Sequence, residues 1–332
     1  MSVLAVKWPT LLDVAKASDP DGKIAEIVEI LNETNEVLDD MVWQEGNLTT
    51  GHRTTIRTGI PDPTWRKLYG GVQPNKGTTR QVTDSCGMME AYAEVDKALA
   101  DLNGNVAALR ASEDYAHIEG MSQSLADALF YASELTEPEK FTGLVPRYNS
   151  LSADNAENII VGGGNGTDNT SIWLVVWGPQ TVHGIIPKGS KAGLQMNDKG
   201  QVTIENIDGA GGRMEAYRTH YRMDAGLTLR DWRYVVRIPN IDKSALTADA
   251  SAGADLVDLM TQALEIVPSL TIGRPVFYMS RRTRSFLRRQ ITSKVKQSTL
   301  TMDTVAGKRV MAFDEVPVKR CDSLAADEAL VV

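Results

Sequence analysis

Residues 51–85, GHRTTIRTGIPDPTWRKLYGGVQPNKGTTRQVTDS, are the stretch that a compact domain accommodates least easily. It holds six Lys or Arg against two Asp, in a chain whose formal net charge is −8. Gly and Pro recur throughout it, and few of its side chains could be buried. A structureless loop of this length inside a compact domain argues against the domain's being self-contained. Any fold assigned to this chain has to say where the segment goes.

The rest of the chain is able to build a core. With 332 residues and 42% hydrophobic content it suits one large domain or two ordinary ones. A pI near 5.2 argues against a protein whose main work is holding DNA or RNA, because that requires a basic face to neutralise phosphates. Cys86 and Cys321 stand 235 positions apart with no second Cys or His at metal-ligand spacing, so neither a disulfide framework nor a zinc site is expected. The opening MSVLAVKWPTLLDVAK carries Lys7 and Pro9 where an export signal would need an apolar core. The longest apolar run, IWLVVW at 172–177, is far short of the roughly 20 residues that cross a bilayer. No membrane partner is expected.

Periodicity divides the remainder. Residues 22–42 place Ile24, Ile27, Val28, Leu31, Leu38 and Met41 at helical spacing, with acidic residues on the other side. This predicts an amphipathic helix that is either an ordinary surface helix or an arm packing on a partner. Residues 88–135 are rich in Ala, Leu, Met and Glu, which predicts two helices separated at Asn103-Gly104. In the second, Ile118, Met121, Leu125, Leu129 and Ala132 continue one stripe towards Pro138, and a helix of about 30 residues would span about 45 Å.

From 141 the texture becomes turn-rich and then strand-like. IWLVVWGPQTVHGIIPKG favours strand, and MEAYRTHYRMDAGLTLRDWRYVVRIPN predicts two further stretches of a half-buried antiparallel sheet. AGADLVDLMTQALEIVPSL is a helix stopped at Pro268. RPVFYMS is a short buried strand, SRRTRSFLRRQIT a basic helix with Ser280 as N-cap, and GKRVMAFDEVPVKRCD a closing pair of strands. The fold class expected is α+β.

Catalytic signals are weak. GGGNGT at 162–167 lacks the Lys-Ser/Thr of a phosphate loop and the spacing of a dinucleotide loop, and reads as a flexible surface loop. His52, His117, His183 and His220 are scattered outside any HExxH frame, and no Gly-x-Ser-x-Gly elbow surrounds a serine. Neither a catalytic nor a cofactor or metal site is expected. Arg281, Arg282, Arg284, Arg288 and Arg289 crowd one helix. They read either as a nucleic-acid footprint or as a subunit contact, and the 43 Asp and Glu of the chain favour the second.

The order of these parts, from the acidic N-terminal helix and polar cationic loop to the long helix before FTGL, the strand-rich middle and the closing AGKRVMAFDEVPVKRCD, resembles the major capsid proteins of tailed double-stranded DNA bacteriophages with the Hong Kong 97-type fold. It is most similar to the kind found in short-tailed phages. EVPV at 315–318 is the most characteristic local match. The resemblance covers nearly the whole chain and implies a non-enzymatic shell subunit that self-assembles into hexamers and pentamers of an icosahedral capsid. The implied layout is an N-terminal arm (1–45), an extended loop (46–88), a peripheral spine-helix region (89–140), a strand-rich region (141–245) and an α/β axial domain (246–332).

In that layout the opening segment becomes a hairpin-like arm over a neighbour. Trp65 and Tyr69 would anchor it, and Arg53, Arg57, Arg66, Lys67, Lys76 and Arg80 would meet the neighbour's carboxylates. The five helix arginines would form a second contact. Lys67 and Lys76 lie where some family members crosslink, but no partner is identifiable here and crosslinking is not expected. Implied partners are other copies, with scaffolding, portal and decoration proteins, and packaged DNA contacted weakly if at all. The implied location is the virion, after assembly in the host cytoplasm. A phage tail or adhesion protein would instead predict repeats, which are absent from the sequence, and a hydrolase would need a pocket that a sequence does not display.

Overall fold

The computed structural model describes residues 35–102, 105–205, 211–294, 300–305 and 308–332. Residues 22–34 of the expected acidic helix lie outside them. In chain order the elements are α1 (Val37–Asp40), β1 (Trp43–Glu45), β2 (Gly51–Gly59), β3 (Thr78–Asp96), α2 (Lys97–Leu102), α3 (Val106–Tyr131), β4 (Asn169–Trp177) and β5 (Val182–Ile186). They continue with β6 (Gln195–Glu205), β7 (Arg213–Leu229), β8 (Val235–Asp242), α4 (Leu256–Ile266), β9 (Arg274–Met279), α5 (Arg281–Lys294), β10 (Leu300–Val305), β11 (Lys308–Phe313) and β12 (Val316–Arg320). The chain forms two compact units, and β3, α3 and β7 each contribute residues to both.

One unit holds residues 88–126 and 191–224 of those described. β6 and β7 pair antiparallel from Gln195↔Arg222 to Glu205↔Arg213, and β3 lies on the other side of β7. Against this sheet Val95, Leu99, Ala100 and Leu109 form one apolar cluster, and Ala93, Met121 and Tyr221 another. Successive strand residues point to opposite faces, so Glu90, Tyr92 and Glu94 face away from the helices. There Arg218 pairs with Glu94 at 2.7 Å and Tyr92 stacks on His220 at 4.5 Å.

Residues 88–96 therefore correct the helical reading. Met, Glu and Ala favour helix locally, but Met89, Ala91, Ala93 and Val95 alternate inwards, and pairing to β7 overrides propensity. Of the two expected helices the first shortens to α2, and the second, α3, has 26 residues and is about 39 Å long. Ile118 is partly exposed, while Met121, Leu125 and Leu129 are buried.

The second unit holds residues 35–87, 127–190 and 225–332 of those described. Its main sheet runs β8-β4-β9-β12-β11-β10, with β4 antiparallel to both β8 and β9 and β12 parallel to β9. Ile172, Leu174, Val176, Val236, Ile238 and Phe277 share one core with α4 (Leu256, Met260, Ala263) and α5 (Leu287, Ile291). The other face carries Trp173, packed 5.9 Å from Phe130 and 6.1 Å from Tyr148. With both faces covered, β8 is buried along nearly its whole length rather than half-buried as its sequence suggests. β5 adds a short ladder between β1 (parallel) and the end of β7 (antiparallel).

The FTGL segment closes α3. Gly143 N–H donates to Ala132 O at 2.8 Å and Leu144 N–H to Leu129 O at 3.0 Å. A Cβ on Gly143 would meet the carbonyl oxygens of Ala128, Leu129 and Phe130 at 2.7–2.8 Å, so only glycine fits. The GGGNGT loop is not free either. Gly162 and Gly164 N–H groups donate to Pro239 O and Asn240 O of β8, an approach that a Cβ would block.

Candidate functional site

β2 and the first half of β3 form an antiparallel ribbon, in register from Gly51↔Ser85 to Arg57↔Thr79, with a bulge before Gly59↔Thr78. Alternating Thr and Arg suit a two-stranded ribbon, since β-branched residues favour extended backbone and the charges keep both faces solvated. Asn47 clasps the start of β2, its side chain donating to Arg53 O at 2.8 Å and accepting from Arg53 N–H at 2.7 Å. Arg53 Nε reaches Thr83 at 3.2 Å.

Beyond the ribbon, residues 60–77 form a tip. Trp65 is 99% exposed and Tyr69 fully so, with Ile60, Leu68 and Val72 also exposed, and Tyr69 holds a φ of 65° beside a Gly70 N–H to Lys67 O bond of 3.0 Å. Arg57, Arg66, Lys67, Lys76 and Arg80 are exposed around it. Single exposed apolar residues are ordinary, whereas five on one loop form an unusually large exposed apolar set.

The ribbon's base is rigid. Arg147 Nη1 donates to Asp84 Oδ1 at 2.9 Å, its Nε to Gly143 O at 3.2 Å, and its Nη2 to Thr142 O at 3.0 Å and Leu227 O at 3.3 Å. One guanidinium thus ties the ribbon, the α3 cap and β7. Ser85 donates to Glu134, and Gly226 lets Ser85 O approach where a Cβ would sit 2.6 Å away. Beneath lie His52 and His183, edge to face at 5.9 Å. Burial, the Arg230 cation and His52 press the His183 pKa down to about 4. Burial and Arg230 also lower that of His52, opposed by Asp84.

The second surface is the outer side of α5. Ser280 caps the helix as its sequence predicts, accepting from Thr283 N–H at 3.3 Å. Leu287 and Ile291 enter the core, and the buried Gln290 donates to Ala254 O at 3.0 Å and accepts from Leu256 N–H at 3.0 Å, fixing α5 to the start of α4. Helical spacing then sets Arg281, Arg284 and Arg288 on one face. Together with Arg289, and with Arg320 from β12, they line a cavity of about 780 Å³.

Within this chain Asp322 pairs with Arg281 at 2.5 Å, Glu36 lies 3.8 Å from Arg320, and Arg289 sits over the Phe286 ring at 5.1 Å. Arg282 points elsewhere, donating to Lys243 O at 3.2 Å. Burial lowers the pKa of Arg284; Glu36 opposes this, and Arg320 and Arg288 add to it. Nothing near Arg147 or Arg320 in the chain marks the role of either in the sequence.

Among the described residues no group of His, Cys, Asp and Glu could hold a metal ion, and no helix is long and apolar enough to cross a membrane. A projecting ribbon with an exposed aromatic tip, a long helix and a mixed sheet carrying two helices define a structural subunit of the Hong Kong 97-type capsid fold. The model of the major capsid protein GP7 family matches residues 19–332, and the chain belongs to that family.

The near-atomic structure of bacteriophage epsilon15 is 37% identical, covers 100% of each chain and has a TM-score of 0.78. The capsid of bacteriophage JBD30 is 11% identical over 96% of this chain and 99% of that one, with a TM-score of 0.45. A structure of Mycobacterium phage Adephagia is 12% identical over 69% and 97%, with a TM-score of 0.42. No curated protein matches the chain. Family membership rests on the family model and the epsilon15 structure, and it makes this a structural capsid protein of a phage virion that associates with itself.

Proposed function

We propose that the chain builds hexamers and pentamers of an icosahedral shell around double-stranded DNA, without catalysis, and that the ribbon of the extended loop lies over a neighbouring copy. The observation that carries this reading is the tip. Trp65 and Tyr69 are fully exposed on a ribbon whose base is tied down by Arg147. Large aromatics are the usual anchors of interfaces. Arg57, Arg66, Lys67, Lys76 and Arg80 lie around or beside the tip, Arg53 lies nearer the base of the ribbon, and all six suit the carboxylates of an acidic neighbour.

The α5 arginines, Arg281, Arg282, Arg284, Arg288 and Arg289, offer a second contact region towards neighbouring carboxylates. The layout of arm, extended loop, peripheral region and axial domain given above belongs to the same reading. So do assembly in the host cytoplasm, weak contact with packaged DNA, and scaffolding, portal and decoration proteins as further partners. Deleting residues 54–80 tests it. Circular dichroism should show a folded subunit and electron microscopy no shells, whereas normal shells from the deleted protein would overturn the role of the ribbon.

A further inference from the structure

The cavity beside α5 carries more positive charge than the described residues balance. Five arginines, Arg281, Arg284, Arg288, Arg289 and Arg320, line it, against the two neighbouring carboxylates Asp322 and Glu36, so among the described residues three positive charges are left over. Among the described residues that line it there is no carboxylate. Arg284 Nε is buried without a hydrogen-bond partner among the described residues, and its guanidinium is held near those of Arg288 and Arg320. A buried donor left unsatisfied costs about 1–3 kcal/mol, and like charges crowded in a concavity add to this. An arrangement of this kind is stabilised by an anion.

We propose that this cavity is a polyanion site that takes a short chain of phosphates. Guanidinium forks pair with phosphate oxygens two at a time, and a linked row of tetrahedral groups can satisfy several forks that a single carboxylate cannot. The volume, about 780 Å³, lies in the range of small-molecule sites, roughly 300–1,000 Å³. The other lining residues are Ala248, Ser285, Thr292 and Ser293. Among the described residues the lining offers hydroxyls and no aromatic ring on which a base could stack, which favours recognition of the phosphates over a nucleoside. Four of its five arginines are also the proposed α5 contact residues, so the anion site is a property of the unassembled subunit, where no neighbouring carboxylate competes for them, and binding to that subunit tests it apart from assembly.

Calorimetric titration of the full chain with inorganic tripolyphosphate, citrate, ATP and a short DNA duplex tests the assignment. Tripolyphosphate should bind saturably, one per subunit, with ATP no tighter and citrate at least tenfold weaker. Arg288→Gln, at an exposed position, should weaken binding at least tenfold, and adding Arg284→Gln should abolish it. Arg274→Gln, an exposed arginine outside the cavity, should leave it unchanged. The proposal fails if tripolyphosphate does not bind, if Arg274→Gln weakens binding as much as Arg288→Gln, if citrate binds equally well, or if only the duplex binds. Thermal melts of each variant separate loss of the site from loss of the fold.

Discussion

Replacing Glu328 by Ala should destabilise the larger unit more than almost any other single change near the C-terminus. Its carboxylate pairs with Arg237 Nη2 at 2.8 Å, accepts from Tyr131 Oη at 2.5 Å and accepts from Ser171 Oγ. Arg237 also donates to Ser171 at 3.2 Å and Tyr148 O at 2.7 Å, and lies 5.2 Å from the Trp173 ring. The two side chains are 2% and 3% exposed, so the substitution would leave the Arg237 guanidinium buried without its counter-charge. Breaking such a pair costs about 3–5 kcal/mol, and the orphaned hydroxyls add roughly 1 kcal/mol each. Against a typical total of about 5–15 kcal/mol this is a large fraction.

Urea denaturation followed by tryptophan fluorescence would measure it, since Trp173 sits beside the pair. Arg237→Met with Glu328→Leu removes both charges and should cost far less than the sum of the single changes, with a coupling of at least about 2 kcal/mol. A loss under about 1 kcal/mol for Glu328→Ala, or additive single changes, would refute the reasoning.

Trp65→Ala should leave the subunit's denaturation midpoint unchanged within about 0.5 kcal/mol while slowing assembly measured by light scattering, because the side chain touches solvent and not the core. Gly143→Ala should lower the melting temperature by an amount equivalent to about 1–3 kcal/mol, since its Cβ meets three helix carbonyls at 2.7–2.8 Å. His183 stays neutral in the fold down to about pH 4 whereas the unfolded chain takes up its proton near 6.5. Stability should therefore be intact above about pH 6.5 and fall as pH drops towards 4, by roughly 2 kcal/mol after allowing for solvent screening, with the slope reduced in His183→Gln when urea midpoints are compared across pH.

How far the sequence reveals these features depends on how local their causes are. The ribbon announces itself because too little of 51–85 can be buried, and α4 and α5 because apolar residues recur every three or four positions. β6, QMNDKGQVTIE, is polar and Gly-containing, and only its pairing with β7 makes it a strand. Residues 88–96 mislead for the same reason in reverse, since their helix-forming composition yields to a partner more than 100 positions away. The five-arginine helix is visible in the sequence, but the cavity is not, because Arg320 arrives on β12 and closes it. Arg237 looks like one polar residue in a strand until Glu328, 91 positions later, folds back on it.

The rigid base and the exposed tip of the ribbon serve opposite needs, and the charge pattern lets one segment meet both. Trp65, Leu68 and Tyr69 in water invite indiscriminate association, yet Arg66 and Lys67 lie between them and Arg57, Lys76 and Arg80 flank them. Subunits whose tips carry like charge repel one another at those tips. Approach to an acidic surface is favoured, and screened by salt over about 10 Å at 0.1 M. Because Arg147 holds the base through four bonds, little ordering entropy would be left to lose there if the tip docks as proposed. Raising salt should therefore slow association while affecting the burial of Trp65 much less. Loosening the base with Arg147→Ala should weaken association even though that residue touches no neighbour in this reading. A variant with a loosened base that assembled as fast as the parent would show that the base contributes nothing to docking.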